Sequence, residues 1–180
     1  MCIMKKYDKN QINELLGKNP FFRGPKFTFL NDIKYLGGIQ VFDDGNIKIP
    51  ASGVFFEQHP RGLQVYIITG FDKIRTGFFY EDFKSFVIES QESIYSSKSK
   101  SVVGRALIGG LLLGPVGAIV GGISGVGDKQ VKNENTPENI LTITINDGGE
   151  DRLLLFEVKN KKVKEANDFF SFHLSKNGNK

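Results

Sequence analysis

The chain has 180 residues, 39% of them apolar and 24% charged, an ordinary globular balance that suits one folded domain with an appendage. The net charge of +4 is mild, and acidic residues are interspersed among the lysines, so composition makes no case for a nucleic-acid partner. The single cysteine, Cys2, excludes an intramolecular disulfide and a cysteine-based metal site, and no apolar run follows the lysines of Met1–Lys6, so a cytoplasmic protein without a secretory leader is expected.

The first predicted element is a short helix over 8–17. Asp8 and Gln11 read as a capping box, Ile12, Leu15 and Leu16 form an apolar stripe, and Gly17 stops the turn. Asn19-Pro20 and Gly24-Pro25 then break the chain. Short strands come next. Phe27, Phe29 and Asp32 to Leu36 predict a strand, or a strand with a bend, ending at Gly37-Gly38, and Asp43 to Asn46 reads as a turn. Val54 to Phe56 is apolar, and His59 to Gly62 turns the chain. Leu63, Val65 and Ile67 then alternate with Gln64 and Tyr66, the period of a half-buried strand. Phe78 to Tyr80 and Phe86 to Ile88 predict two further short strands, separated by Glu81-Asp82.

The strand pattern then stops. Residues 90–100 are rich in Ser and Lys, 101–127 are glycine-rich and apolar, and 128–139 are polar again. Strands resume with Leu141, Ile143 and Ile145, turn at Asn146 to Gly149, and return through Leu154, Phe156 and Val158. Val163, Ala166, Phe170 and Leu174, with Phe169 beside them, predict an amphipathic helix over about 160–175.

This order predicts an α+β fold. Six or seven antiparallel strands form a strongly bent, pleckstrin-homology-like (PH-like) sheet or barrel, a C-terminal helix covers it, and a glycine-rich helical hairpin is inserted before the last strand pair. The expected organisation is a helix and linker over 1–25, a first part of the domain over 26–97, the insert with its polar flanks over 98–135, and a second part with the helix over 136–180.

The insert carries the functional signal. Residues 106–127 hold no charge, and eight of the 22 are glycine. Gly110 and Gly114, and then Gly117, Gly121 and Gly125, recur at four-residue spacing, which draws a smooth stripe along a helix where two backbones approach closely. Leu107, Leu111, Leu112, Leu113, Ile119 and Ile123 are left to face lipid or a core. Each glycine costs an isolated helix roughly 1 kcal/mol relative to Ala, so this helix needs a partner surface or lipid. One continuous helix would be about 33 Å long, enough for a bilayer core of about 30 Å. Gly114-Pro115 instead favours a hairpin with arms over 101–113 and 116–127. Lys98, Lys100 and Arg105 before the segment, and Lys129 and Lys132 after it, are candidate headgroup contacts. Against membrane entry stands a soluble reading, in which the hairpin closes over the protein's own core or forms a homo-oligomer seam.

Enzyme chemistry has no foothold. His59 and His173 lie far apart in sequence with no cysteine partner, so no metal or other cofactor is expected; both read as turn or helix-face residues. The run from Gly121 to Lys129 is not a phosphate loop, because Asp128 separates Gly127 from Lys129 and would repel phosphate. Ser124 lacks the spacing and context of a nucleophile elbow. Lys159, Lys161, Lys162 and Lys164 read as a solvated helix start, without the aromatic pattern of a nucleic-acid site.

The element order, the stretch Tyr80 to Phe83 and the run from Ser101 to Gly122 resemble bacterial and phage-borne proteins that join a PH-like (GRAM-like) domain to a glycine zipper. The resemblance covers about residues 26–175. It implies a prophage-encoded effector that damages the host membrane during phage infection, with a phage protein as its trigger.

Overall fold

The computed structural model describes residues 5–18, 27–28, 33–43, 54–69, 72–90, 93 and 138–176. In chain order these form helix α1 (Lys9–Leu16), strands β1 (Phe27–Thr28) and β2 (Ile33–Gly37), a helical turn α2 (Gln40–Asp43), and strands β3 (Val54–Gln58), β4 (Gly62–Thr69) and β5 (Asp72–Phe79). A 3-10 turn (Tyr80–Asp82) leads into β6 (Phe83–Ser90). Then come β7 (Asn139–Asp147), β8 (Glu150–Val158), a second 3-10 turn (Asn160–Lys162) and helix α3 (Val163–Ser175).

The strands make two antiparallel sheets, ordered β1-β3-β4-β5 and β2-β8-β7-β6. The two sheets do not join into a closed barrel among the described residues. They face each other across one core, which is the PH-like α+β arrangement expected. Val54, Phe56, Leu63, Val65, Ile67, Ile74 and Phe78 fill it from the first sheet, and Ile33, Phe83, Leu141, Ile143, Ile145, Leu154, Phe156 and Val158 from the second. Helix α3 adds Ala166, Phe169 and Phe170. The Phe170 ring meets Phe56 edge-on at 5.2 Å, and Phe56 meets Phe156 at the same distance, so the helix ties both sheets together. Each such ring withdrawn from water contributes about 1.5–3 kcal/mol.

Helix α1 forms where its cap residues demand. The Asp8 carboxylate accepts from the backbone N–H groups of Asn10 and Gln11 at 2.7 and 2.9 Å, and the Gln11 side chain accepts from the Asp8 N–H at 2.9 Å. Eight residues are too few for a helix to stand alone in water. Packing holds it: Ile12 and Leu16 are fully buried, and Leu16 sits on Gly77 of β5, where an added Cβ would come within 2.8 Å of its Cδ1.

Strand β5 departs from expectation. It runs for eight residues, paired along its full length with β4, where sequence periodicity predicted only its last two residues. Ile74, Thr76 and Phe78 are buried, while Lys73 and Arg75 sit over the Tyr66 ring at 5.5 and 6.0 Å, so cations on one face obscured the alternation. Tyr80, expected in a strand, belongs to the 3-10 turn. Strand β4 is buried on both faces rather than one, because Tyr66 stacks on Phe55 at 4.7 Å and Gln64 bonds Glu57. Burial, with the Glu57 carboxylate beside it, pushes the Tyr66 hydroxyl up to about 12. The turn α2 was not anticipated; it buries Phe42 edge-on against Tyr35, whose hydroxyl donates to the Ile39 carbonyl at 3.1 Å. Asp43 closes α2, and residues 44–46 of the expected turn lie outside the described residues.

Candidate functional site

The insert leaves and rejoins the fold at one place. Ser90, the last residue of β6, pairs with Asn139, the first of β7. Paired residues of an antiparallel ladder sit about 5 Å apart, so residues 91–137 are a connection between neighbouring strands whose two roots stand side by side. The sixteen residues singled out in the insert and its flanks (Lys98 to Lys132) lie outside the described residues.

The returning root is clamped. The Glu138 carboxylate accepts from the Asn160 N–H at 2.7 Å, and Asn139 donates its amide to the Val158 carbonyl at 3.1 Å and to the Asn160 side chain at 2.8 Å. Lys159 lies 3.5 Å from Glu138 and 3.7 Å from Glu157, which in turn pairs with Lys34 at 3.5 Å. The Asn160 N–H first, and the Lys159 cation after it, hold the Glu138 carboxyl below its ordinary range. At the departing root the Ser90 hydroxyl accepts from the Ser93 N–H at 3.2 Å. The lysines expected as a solvated helix start are divided: Lys161 and Lys164 are exposed, whereas Lys159 and Lys162 are half-buried in ion pairs with Glu138, Glu157 and Glu165.

The other end of the sheets holds a buried hub around Tyr80. The Tyr80 hydroxyl donates to the His59 carbonyl at 3.0 Å, and its N–H donates to the Arg61 carbonyl at 3.0 Å. The His59–Arg61 turn also receives the end of α1. His59 Nδ1 bonds the Gly17 carbonyl at 2.7 Å, the Arg61 N–H donates to the Leu16 carbonyl at 2.9 Å, and the Arg61 guanidinium donates to the Glu14 carbonyl. These bonds satisfy carbonyls that a helix end leaves without intrahelical partners. On its far side Tyr80 stacks on the His173 ring, 5.5 Å between centroids and 3° from parallel. His173 is fully buried, and neither ring nitrogen has a hydrogen-bond partner. Burial first, then the Lys176 charge, lowers its pKa to about 3.

Two histidines that are distant in sequence thus flank one tyrosine. The described residues contain no group of three or more His, Cys, Asp or Glu side chains able to hold a metal ion, and none of their helices is long and apolar enough to cross a membrane.

A family model described as a glycine zipper containing PH domain matches residues 63–155, just over half of the chain. The chain belongs to that family. The match starts in β4, ends within β8 and spans the insert, so the glycine zipper PH domain includes the zipper as the β6–β7 connection. No curated protein and no solved structure matches the chain. The element of this glycine zipper PH domain that sequence reasoning missed is the Tyr80 hub. Its only sequence signal was the aromatic and histidine content of a turn and a helix end, and nothing in the spacing of residues 59, 80 and 173 joins them.

Proposed function

We propose that this glycine zipper PH domain is a non-enzymatic, membrane-active effector that works from the cytoplasmic side. The PH-like scaffold carries the zipper hairpin; a trigger releases it; hairpins from several chains pack through Gly110, Gly114, Gly117, Gly121 and Gly125 and perforate the bilayer. The resemblance drawn from the sequence adds a setting, defence against phage infection with a phage protein as trigger. The trigger must bind the released form more tightly than the resting one, because a ligand with equal affinity for both shifts nothing.

The observation that carries this reading is the pairing of Ser90 with Asn139 at the two roots of the connection that holds the uncharged, glycine-striped residues 106–127. It also favours the hairpin over the single helix. With β6 and β7 paired, a single crossing would leave residues 128–138 to return through lipid, and these include Asp128, Lys129, Lys132 and Glu134. Each charge at the bilayer centre costs at least about 2.5–3.5 kcal/mol, and irregular backbone is not tolerated against lipid. Hairpin arms of about 18–20 Å reach past the midplane and return to the same side.

The test is dye release from anionic liposomes by the wild-type chain and by the Gly117→Leu/Gly121→Leu variant. Release by wild type alone is expected. Equal release by both removes the zipper from the mechanism, and no release from either, with liposomes ignored, supports a soluble binding module whose zipper only builds a homo-oligomer.

A further inference from the structure

Three stretches of chain bring basic residues together at the β5 edge of the β1-β3-β4-β5 sheet. The Tyr7 N–H donates to the Arg75 carbonyl at 2.9 Å, an antiparallel bridge that pins the residues before α1 beside β5. Bridged residues lie about 5 Å apart, and residues two apart along a strand about 7 Å. Lys5, Lys6 and Lys9 are thereby held beside Lys73 and Arg75. Lys5, Lys6, Lys9 and Lys73 are exposed, and Arg75 is half-buried.

Lys73 and Arg75 flank Ile74, which faces the core, and both stand over the Tyr66 ring. Their cations therefore lie on the outer face of the sheet and not out along its edge, where a lysine would serve to block strand pairing. Three carboxylates neighbour them. Asp8 is taken up as the cap of α1, Glu57 is half-buried and bonded to Gln64 and Tyr66, and Asp72 begins the strand. Positive charge is left in excess on the exposed side. Gathering like charges costs stability, so the stability of the fold does not account for the arrangement.

We propose that this surface, formed by Lys5, Lys6, Lys9, Lys73 and Arg75, docks the chain on an anionic bilayer. Four of the five cations are lysines, compact point charges suited to a diffuse layer of headgroups, without the planar fork that reads one phosphate. The rings nearby offer no platform for stacking bases, because Phe55 is 5% and Tyr66 9% exposed. Helix α1 lies against β4 and β5 and does not project toward a groove. The chain also carries 22 successive uncharged residues, 106–127, a length suited to lipid. That last argument rests on the proposed function; the charge of the surface does not. At physiological salt, charges act over about 8 Å, so neighbouring cations here share one patch of headgroups. Each contributes roughly fivefold to binding.

The test is co-sedimentation of the full chain with vesicles of phosphatidylcholine, alone or with phosphatidylserine. Binding that requires phosphatidylserine and weakens with salt is expected. Lys5→Gln/Lys6→Gln/Lys9→Gln is expected to weaken it about a hundredfold. Lys18→Gln/Lys161→Gln/Lys164→Gln removes the same charge from exposed positions elsewhere and is expected to cost less than about tenfold. Equal losses in the two variants assign binding to net charge and overturn the proposal, as does unchanged binding in the first. Should the first variant fail to fold, Lys73→Gln decides, with a loss of about fivefold expected and no loss overturning the proposal. Retention of a DNA duplex by wild type but not by the first variant, with vesicles ignored, makes the surface a nucleic-acid site and overturns the bilayer. Gly117→Leu/Gly121→Leu is expected to bind vesicles as wild type does while losing dye release. Binding without release by the wild-type chain supports the docking surface and refutes the pore. Undiminished release by the first variant refutes the docking surface alone.

Discussion

The two ends of the β2-β8-β7-β6 sheet are held by different physics. At the insert end, Glu138, Lys159 and Asn160 make polar bonds at or near the surface around the buried amide of Asn139. At the other end, the Tyr80 hydroxyl is buried against the His59 carbonyl, and the His173 ring is stacked beneath it. Exposed polar bonds are individually weak and exchange readily with water, whereas a buried polar group costs heavily if its partner is lost. The Tyr80–His173 stack thus lies at the end of the sheet opposite Ser90 and Asn139. The hub joins α1, the β3–β4 turn and α3.

The largest expected difference between the ends is in their response to acid. His173 is neutral in the fold, with its pKa lowered from 6.5 to about 3. The unfolded chain binds a proton at this site below 6.5 that the folded chain refuses. The contribution is therefore fully present above 6.5 and is lost as pH falls toward the folded value, by up to ~1.4 kcal/mol per pH unit. Urea unfolding between pH 7.5 and 4.5 should show this slope, and His173→Phe, which keeps a ring on Tyr80, should flatten it. An unchanged slope would remove the hub from the acid response. Two histidines in the whole chain also allow each ring to be followed separately by NMR.

Tyr80→Phe tests the hub at constant shape. It leaves the His59 carbonyl without its buried donor, and a loss of about 1–2 kcal/mol is expected by urea titration. The smallest effect belongs to the insert end. Glu138→Gln keeps an acceptor for the Asn160 N–H but removes the charge facing Lys159, so a loss within about 1 kcal/mol is expected, shrinking further in high salt. A larger loss at Glu138 than at Tyr80 would reverse the comparison.

Local signals were legible wherever local physics decides. The Asp8 capping box, the Gly148-Gly149 hairpin turn and the α3 apolar stripe each depend on residues within four or five positions of one another, and each stands where the sequence placed it. Strand β5 was legible only at its last two residues because Lys73 and Arg75 lie over Tyr66, a neighbour that exists only after β4 and β5 pair. The glycine stripe was read from spacing alone, and its residues lie outside those described.

The sequence by itself determined most of the elements, the α+β class and the placing of an uncharged glycine-rich stretch between two strand-forming regions, because composition and periodicity are properties of neighbours along the chain. Only the tertiary structure decided that the roots of that stretch stand side by side at Ser90 and Asn139. It alone revealed that His59 and His173 converge on Tyr80, and that Ile140, Thr142 and Leu155 are buried although they alternate with the core residues of their strands. Each of these depends on strand pairing or helix docking between residues far apart in sequence, where no period or motif records the contact.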